Sequence, residues 1–143
     1  MSAYSKEDIS LFYTEAKQAR DRAYCPYSAH PVGVVLIDDL GHKSLGCNTE
    51  VAHFKSMCAE AGAISHMIVQ GGQKIRDIFI VGPADDPVTP CGDCRQRIRE
   101  FADDSTGIYC FGSNGIIVKQ YTIGDLLPDS FGPENILNRK PQP

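Results

Sequence analysis

Residues 58–81, CAEAGAISHMIVQGGQKIRDIFIV, and residues 90–111, PCGDCRQRIREFADDSTGIYCF, decide the fold, because each passes from a helical pattern into a strand pattern. In the first stretch a helix is expected from about Met57 to Gln70, Gly71-Gly72 stops it, and Ile75 to Val81 reads as a strand. In the second, Thr89 is the expected N-cap and Pro90 the first helical residue; that helix runs to about Ala102, and a strand follows near Ile108 to Phe111. Helices alternating with strands argue for a three-layer α/β/α domain with a mixed, mainly parallel five-stranded sheet covered on both faces.

Upstream, Ile9, Phe12, Tyr13, Ala16, Ala19 and Ala23 recur at three- and four-residue spacing, with Glu7 and Asp8 in the first turn, which predicts an amphipathic helix over 6–24. The segment CPYS breaks it. Val32 to Ile37 then reads as a buried strand, Asp38-Asp39-Leu40-Gly41 as a turn, and His42 to Asn48 as a second strand. Residues 83–87 read as a loop, and Ile116 to Tyr121 as the last strand. The proline-rich end of the chain, about 134–143, is expected to be a flexible tail.

A chain of 143 residues with 42% hydrophobic content is long enough for one well-buried core and short for two, so residues 1–143 are read as a single domain. No apolar stretch has the length of a membrane span and the N-terminus lacks an apolar signal core, which implies a soluble, cytoplasmic protein without membrane partners. The net charge of −4, with no run of Lys or Arg, argues against polymeric nucleic acid as a partner. Six cysteines in a chain with a full-sized core and no export signal point to metal or catalytic use rather than to a disulfide framework.

The spacing of three of them is informative. Cys91 and Cys94, at i and i+3 near a helix start, face the same way as Ile98 and Phe101 and make half of a tetrahedral zinc site, with the helix N-terminus favouring thiolates. Cys58 opens the other helix as Cys58-Ala59-Glu60. Residues two apart on a regular helix do not share a face, so Cys58 must sit at or just before the first full turn if it and Glu60 are to reach one metal. Three protein ligands leave zinc a fourth position for water, as in catalytic sites. His53 and His66 are the residues that could close it instead, and Glu60 could be an ordinary first-turn carboxylate. The other cysteines, Cys25, Cys47 and Cys110, read as buried small apolar residues.

Cys-x-Glu followed about thirty residues later by Pro-Cys-x-x-Cys matches the known signature of the zinc deaminases of nucleobases. The stretches YCPYS (24–28), VGV (32–34), GCNTE (46–50), CAE (58–60), PCGDCRQ (90–96) and LLPDSFGP (126–133) further resemble the small, three-cysteine, homotetrameric cytidine deaminases, over nearly the whole chain. The resemblance implies one zinc per subunit on Cys58, Cys91 and Cys94, with Glu60 as the proton carrier in hydrolysis of cytidine or deoxycytidine to uridine or deoxyuridine and ammonia, a step of pyrimidine salvage. It further implies that Asn48 and Glu50 bind the ribose 3′-hydroxyl, that the backbone around Ala59 holds the pyrimidine, and that Phe131 enters a neighbouring subunit's pocket.

Four positions depart from that family pattern. His30 replaces a Phe expected to pack near the base, Ala61 an Arg that offsets thiolate charge, and Val51 an Asn after the sugar-binding Glu; the 50–58 connection is about one residue short. Arg95, next to Cys94, is then the candidate to neutralise the cluster. The departures keep two other readings in view: the same chemistry on a modified cytosine nucleoside, such as a nucleoside antibiotic, and a catalytically silent zinc module. Editing of a base in tRNA or DNA conflicts with the acidic balance of the chain.

Overall fold

The first helix, α1 (Lys6–Asp21), starts at a capping box in which the Ser5 hydroxyl accepts the Asp8 amide and Asp8 accepts the Ser5 amide. The computed structural model to which it belongs describes residues 3–83 and 87–137. After α1 come β1 (Gly33–Asp38), β2 (Lys43–Cys47), α2 (Ala59–Val69), β3 (Ile75–Val81), α3 (Gly92–Glu100), β4 (Gly107–Phe111) and β5 (Ile117–Thr122), then the short α4 (Ile123–Leu126) and α5 (Glu134–Leu137). Residues 84–86 of the expected 83–87 loop and 138–143 of the expected tail lie outside the described residues. The start of that tail is helical, with Glu134 paired to Arg99.

The five strands form one sheet in the order β2-β1-β3-β4-β5. It is mixed, as expected, but its parallel share is smaller than expected: β3/β4 pair in parallel, whereas β1/β2, β1/β3 and β4/β5 are antiparallel. The reason is connection length. The short links 39–42 and 112–116 are hairpins, and a parallel pair needs a crossover of a dozen residues or more. The link from β2 through α2 to β3 is such a crossover, but it steps over β1, which lies antiparallel between the two.

The hydrophobic effect is met on both faces of the sheet. On one, Phe12 and Ala16 of α1 pack with Val35, Ile37, Phe79, Val81, Tyr109 and Phe111. On the other, Ala63, Ile64 and Met67 of α2 and Ile98 of α3 cover Val34, Leu36, Ile78, Ile80 and Ile108. Residues 33–37 of β1 and 78–81 of β3 alternate between the two layers and are buried on both faces, which explains why these stretches read as apolar runs.

Helix boundaries shift for local reasons. The first helix ends at Asp21 rather than near residue 24, because Tyr24 leaves it to bridge Thr49. The second starts at Ala59 rather than Met57, since Met57 and Thr49 exchange two backbone hydrogen bonds of 2.9 Å. The third is capped by Cys91, not Thr89, as the Cys91 sulfur accepts the Cys94 amide at 3.4 Å. Cys110 is fully buried as expected, whereas Cys25 and Cys47 are only half-buried.

Two helices approach the sheet at backbone distance. A Cβ on Gly46 of β2 would collide with the Ala59 carbonyl and the Ala63 amide of α2, and one on Gly33 with the Ala16 carbonyl and Arg20 amide of α1. Gly46→Ala is therefore expected to destabilise the fold by about 1–3 kcal/mol, lowering Tm by several degrees in a thermal melt; an unchanged Tm would refute this account of how α2 is seated.

Candidate active site and metal centre

The C-terminal ends of β2 and β3 lie at one edge of the sheet, where Gly33 opposes both Cys47 and Val81. Both α2 and α3 begin beyond that edge and pack on the same face, so their N-termini converge. This is where ligands collect in α/β sheets, outside the carboxyl ends of the strands.

Cys58 and Cys91 are the N-cap residues of the two helices, both extended, with φ/ψ of −72/157° and −66/172°. An extended N-cap frees its side chain from the helical spacing, which is how Cys58 and Glu60, two apart, come to one centre. Cys94 sits within the first turn of α3 and is 1% exposed. The sulfurs of Cys58 and Cys91 are 3.9 Å apart, those of Cys91 and Cys94 3.3 Å, and all three lie within 4.8 Å of one another. Tetrahedral zinc with Zn–S bonds of about 2.3 Å requires sulfurs roughly 3.8 Å apart, so the cluster fits that ion. Of the two histidines that could have closed a fourth position, His66 instead accepts the Leu45 amide at 3.1 Å, and His53 is exposed.

Glu60 is 4% exposed, and its Oε2 accepts the Cys94 thiol at 3.3 Å. Burial pushes its carboxyl above the ordinary carboxylate range. Burial likewise raises the Cys58 and Cys94 thiols. Burial also acts to raise Cys91, but the Cys94 amide, which donates to its sulfur, and hydrogen bonds with the Cys94 and Cys58 thiols bring it below its usual value. A divalent cation among the sulfurs inverts this preference for neutral forms and holds thiolates.

A cavity of about 320 Å³ runs along this edge, walled by Tyr27, Asn48, Glu50, Val51, Phe54 and Met57 and ending at Cys58. The structure thus brings Asn48 and Glu50 to the same cleft as the metal cluster. Ala59, the first residue of α2, is 1% exposed at its inner end, next to the cluster. His30 and Phe131 are not on this wall. The His30 side chain is exposed, although its carbonyl accepts Asn48 Nδ2 at 2.9 Å, and Phe131, 56% exposed, lines a separate cavity with Gln96 and Ile136.

Arg95 Nε and Nη1 donate to the carbonyls of Pro90 (2.8 Å) and Leu126 (3.0 Å), clamping the approach to Cys91. Arg97, paired with Asp93 at 2.8 Å, is a further cation on this side, lining a cavity with Cys58. Sequence reasoning missed Arg97, and also Tyr27 and Phe54. An exposed aromatic inside a polar connection was the available signal for Phe54, which is 85% exposed with φ of +60°.

These residues match a known family over most of the chain. The model for the cytidine and deoxycytidylate deaminase zinc-binding region fits residues 6–110. The chain belongs to the cytidine deaminase family. A cytidine deaminase of Sporosarcina psychrophila is 36% identical over 130 residues, covering 90% of this chain and 95% of that one. Another, from Halalkalibacterium halodurans, is 35% identical over 130 residues, covering 90% and 98%. The crystal structure of the cytidine deaminase of Burkholderia pseudomallei superposes with a TM-score of 0.79 at 32% identity, over 90% of this chain and all of that one. Like the family, the chain takes zinc, one ion per three-cysteine cluster.

Beside Cys58, at the position where the cytidine deaminase pattern has Arg, Ala61 opens onto a cavity of about 290 Å³ that also reaches Ser56, Ser65 and Arg97. Ala61→Arg is expected to fit this space with a Tm change of only a few degrees. The added cation should make the metal centre more acidic, so the acidic limb of the pH–rate profile should move to lower pH; an unmoved limb would show that charge at residue 61 does not reach the centre.

Proposed function

We propose that the chain, as one domain, hydrolyses cytidine and 2′-deoxycytidine to uridine and 2′-deoxyuridine, releasing ammonia. The observation that carries this reading is Glu60, a buried carboxyl directly against a cluster of three thiols, one of which, Cys58, lines the cavity that holds Asn48 and Glu50. Cys58, Cys91 and Cys94 would hold the zinc ion, which when bound would make water acidic enough to react at neutral pH. Glu60 is the proton carrier. Burial favours its protonated form, so it can give a proton to N3 of the ring as the water oxygen bonds to C4, take up the proton that the water loses, and deliver that proton to the amine as the C4–N bond breaks and ammonia leaves. The helix start at Ala59, where no N-cap side chain takes a first-turn amide, offers backbone donors to the pyrimidine.

Asn48 and Glu50 take the sugar hydroxyls. Among the described residues Glu50 is the single Asp, Glu, Lys or Arg on the cavity wall, which favours an uncharged nucleoside over a phosphorylated one. Tyr27 and Phe54 give the cleft its apolar flanks, and His30 stands at its rim through its backbone tie to Asn48. Phe131 would complete the cleft of another copy in a homotetramer, a reading supported by its exposure outside its own chain's cleft. No described helix is long and apolar enough to cross a membrane, and six unpaired cysteines suit the reducing cytoplasm. Val51 on the wall favours a second reading, a sugar-modified cytosine nucleoside, which relative turnover of cytidine and such analogues separates.

Ultraviolet absorbance should fall when the protein meets cytidine. Glu60→Gln should lose at least about a thousandfold in kcat while keeping one zinc per chain by metal analysis; cytidine turnover that survives the substitution would remove Glu60 from the chemistry. Phe131→Ala should weaken turnover with zinc content intact, and full activity in that variant would dismiss a shared site.

A further inference from the structure

The loop between α1 and β1 is held in a conformation that its own residues do not favour. Ala29 has φ of +53°, a left-handed value that costs a residue with a Cβ about 1 kcal/mol or more. It persists because residues 48 and 50 grip the loop on both sides. Asn48 Oδ1 accepts the Val32 amide at 2.8 Å and its Nδ2 donates to the His30 carbonyl at 2.9 Å. Glu50 Oε2 accepts the amides of Tyr27 (2.9 Å) and Ser28 (3.1 Å), and its Oε1 accepts the Ser28 hydroxyl. The Ser28 oxygen in turn accepts the His30 amide at 3.1 Å.

Counting acceptors gives this arrangement a functional meaning. A carboxylate offers about four lone-pair directions. Among the described residues three donors occupy three of them, two on Oε2 and one on Oε1. Rotation of the carboxylate is therefore fixed, and a single direction, on Oε1, is left for a ligand donor. The two amides alone would fix Oε2 but not determine which way the remaining lone pairs of Oε1 point; the hydroxyl of Ser28, itself oriented by the His30 amide, does that.

We propose that Ser28 is a positioning residue for sugar recognition: its hydroxyl, bridging the His30 amide and Glu50 Oε1, aims the one unoccupied acceptor of Glu50 at a ribose hydroxyl. The inference rests on the reading of Glu50 as a sugar ligand. Ser28 touches no substrate in this scheme; it acts through Glu50. Because the carboxylate is preset, no rotation has to be frozen when the nucleoside binds, and the effect belongs to substrate affinity rather than to the chemical step.

The test compares wild type, Ser28→Ala and Ser28→Thr on cytidine and on 3′-deoxycytidine, with Tm recorded for each. Ser28→Ala should raise KM for cytidine roughly tenfold, the value of about one well-made hydrogen bond, with kcat within about twofold. On 3′-deoxycytidine it should match wild type, because the hydroxyl that Ser28 serves is gone. Ser28→Thr, which keeps the donor, should restore cytidine KM. If Ser28→Ala lowers kcat/KM by the same factor on both nucleosides, Ser28 merely holds the loop and the proposal falls. If wild type handles both nucleosides equally well, Glu50 does not read that hydroxyl, and the parent reading fails along with the inference. Should Ser28→Ala not fold, Ser28→Cys, a weaker donor, serves the same comparison.

Discussion

The close seating of α2 on β2 is the constraint on which the rest of the structure depends. Residue 46 has no side chain, so the backbone of Ala59 and Ala63 rests directly on the strand, and the first turn of α2 is fixed in height above the sheet edge. That height brings Cys58 within 3.9 Å of Cys91 and puts the Glu60 carboxyl on the Cys94 thiol, although the residues come from different helices some thirty positions apart. Van der Waals exclusion at one glycine thus sets the position of a chemical centre. The hydrophobic layer beneath, from Ala63 and Met67 to Ile98, keeps the two helix starts from sliding past each other.

Much of this was legible in the sequence, and the reasons differ by element. The stretches Ile78–Val81 and Gly107–Phe111 announce themselves as apolar runs because both of their faces are covered. The metal cluster and Glu60 were legible because coordination chemistry limits residue type and spacing so sharply that few arrangements survive. The balance of parallel and antiparallel pairing was misjudged, although the short turns at 39–42 and 112–116 were visible; the lesson is that turn length outranks the general expectation for alternating helices and strands.

What could not be read lies in side chains whose partners are distant in the chain. The adjacency of Arg95 to Cys94 does not show that its guanidinium reaches the carbonyls of Pro90 and Leu126. Arg97, two residues on, lines a cavity with Cys58. Likewise the role of Asn48 and Glu50 in shaping the 25–32 loop depends on a parallel bridge between Tyr24 and Thr49 that leaves no periodic trace in sequence.

Two of the three sulfurs belong to N-cap residues, and neither α2 nor α3 owes its start to an ordinary serine or aspartate cap. An ion that gathers these sulfurs would also tie together the beginnings of two helices that otherwise meet through their apolar faces and the Cys94–Glu60 hydrogen bond. Metal occupancy and folding are then thermodynamically linked: each tenfold excess of free ion over its dissociation constant adds about 1.4 kcal/mol to the native state. The resistance of this fold to heat becomes a gauge of zinc supply, and a starved chain would lose its shape at the same place where it loses its chemistry.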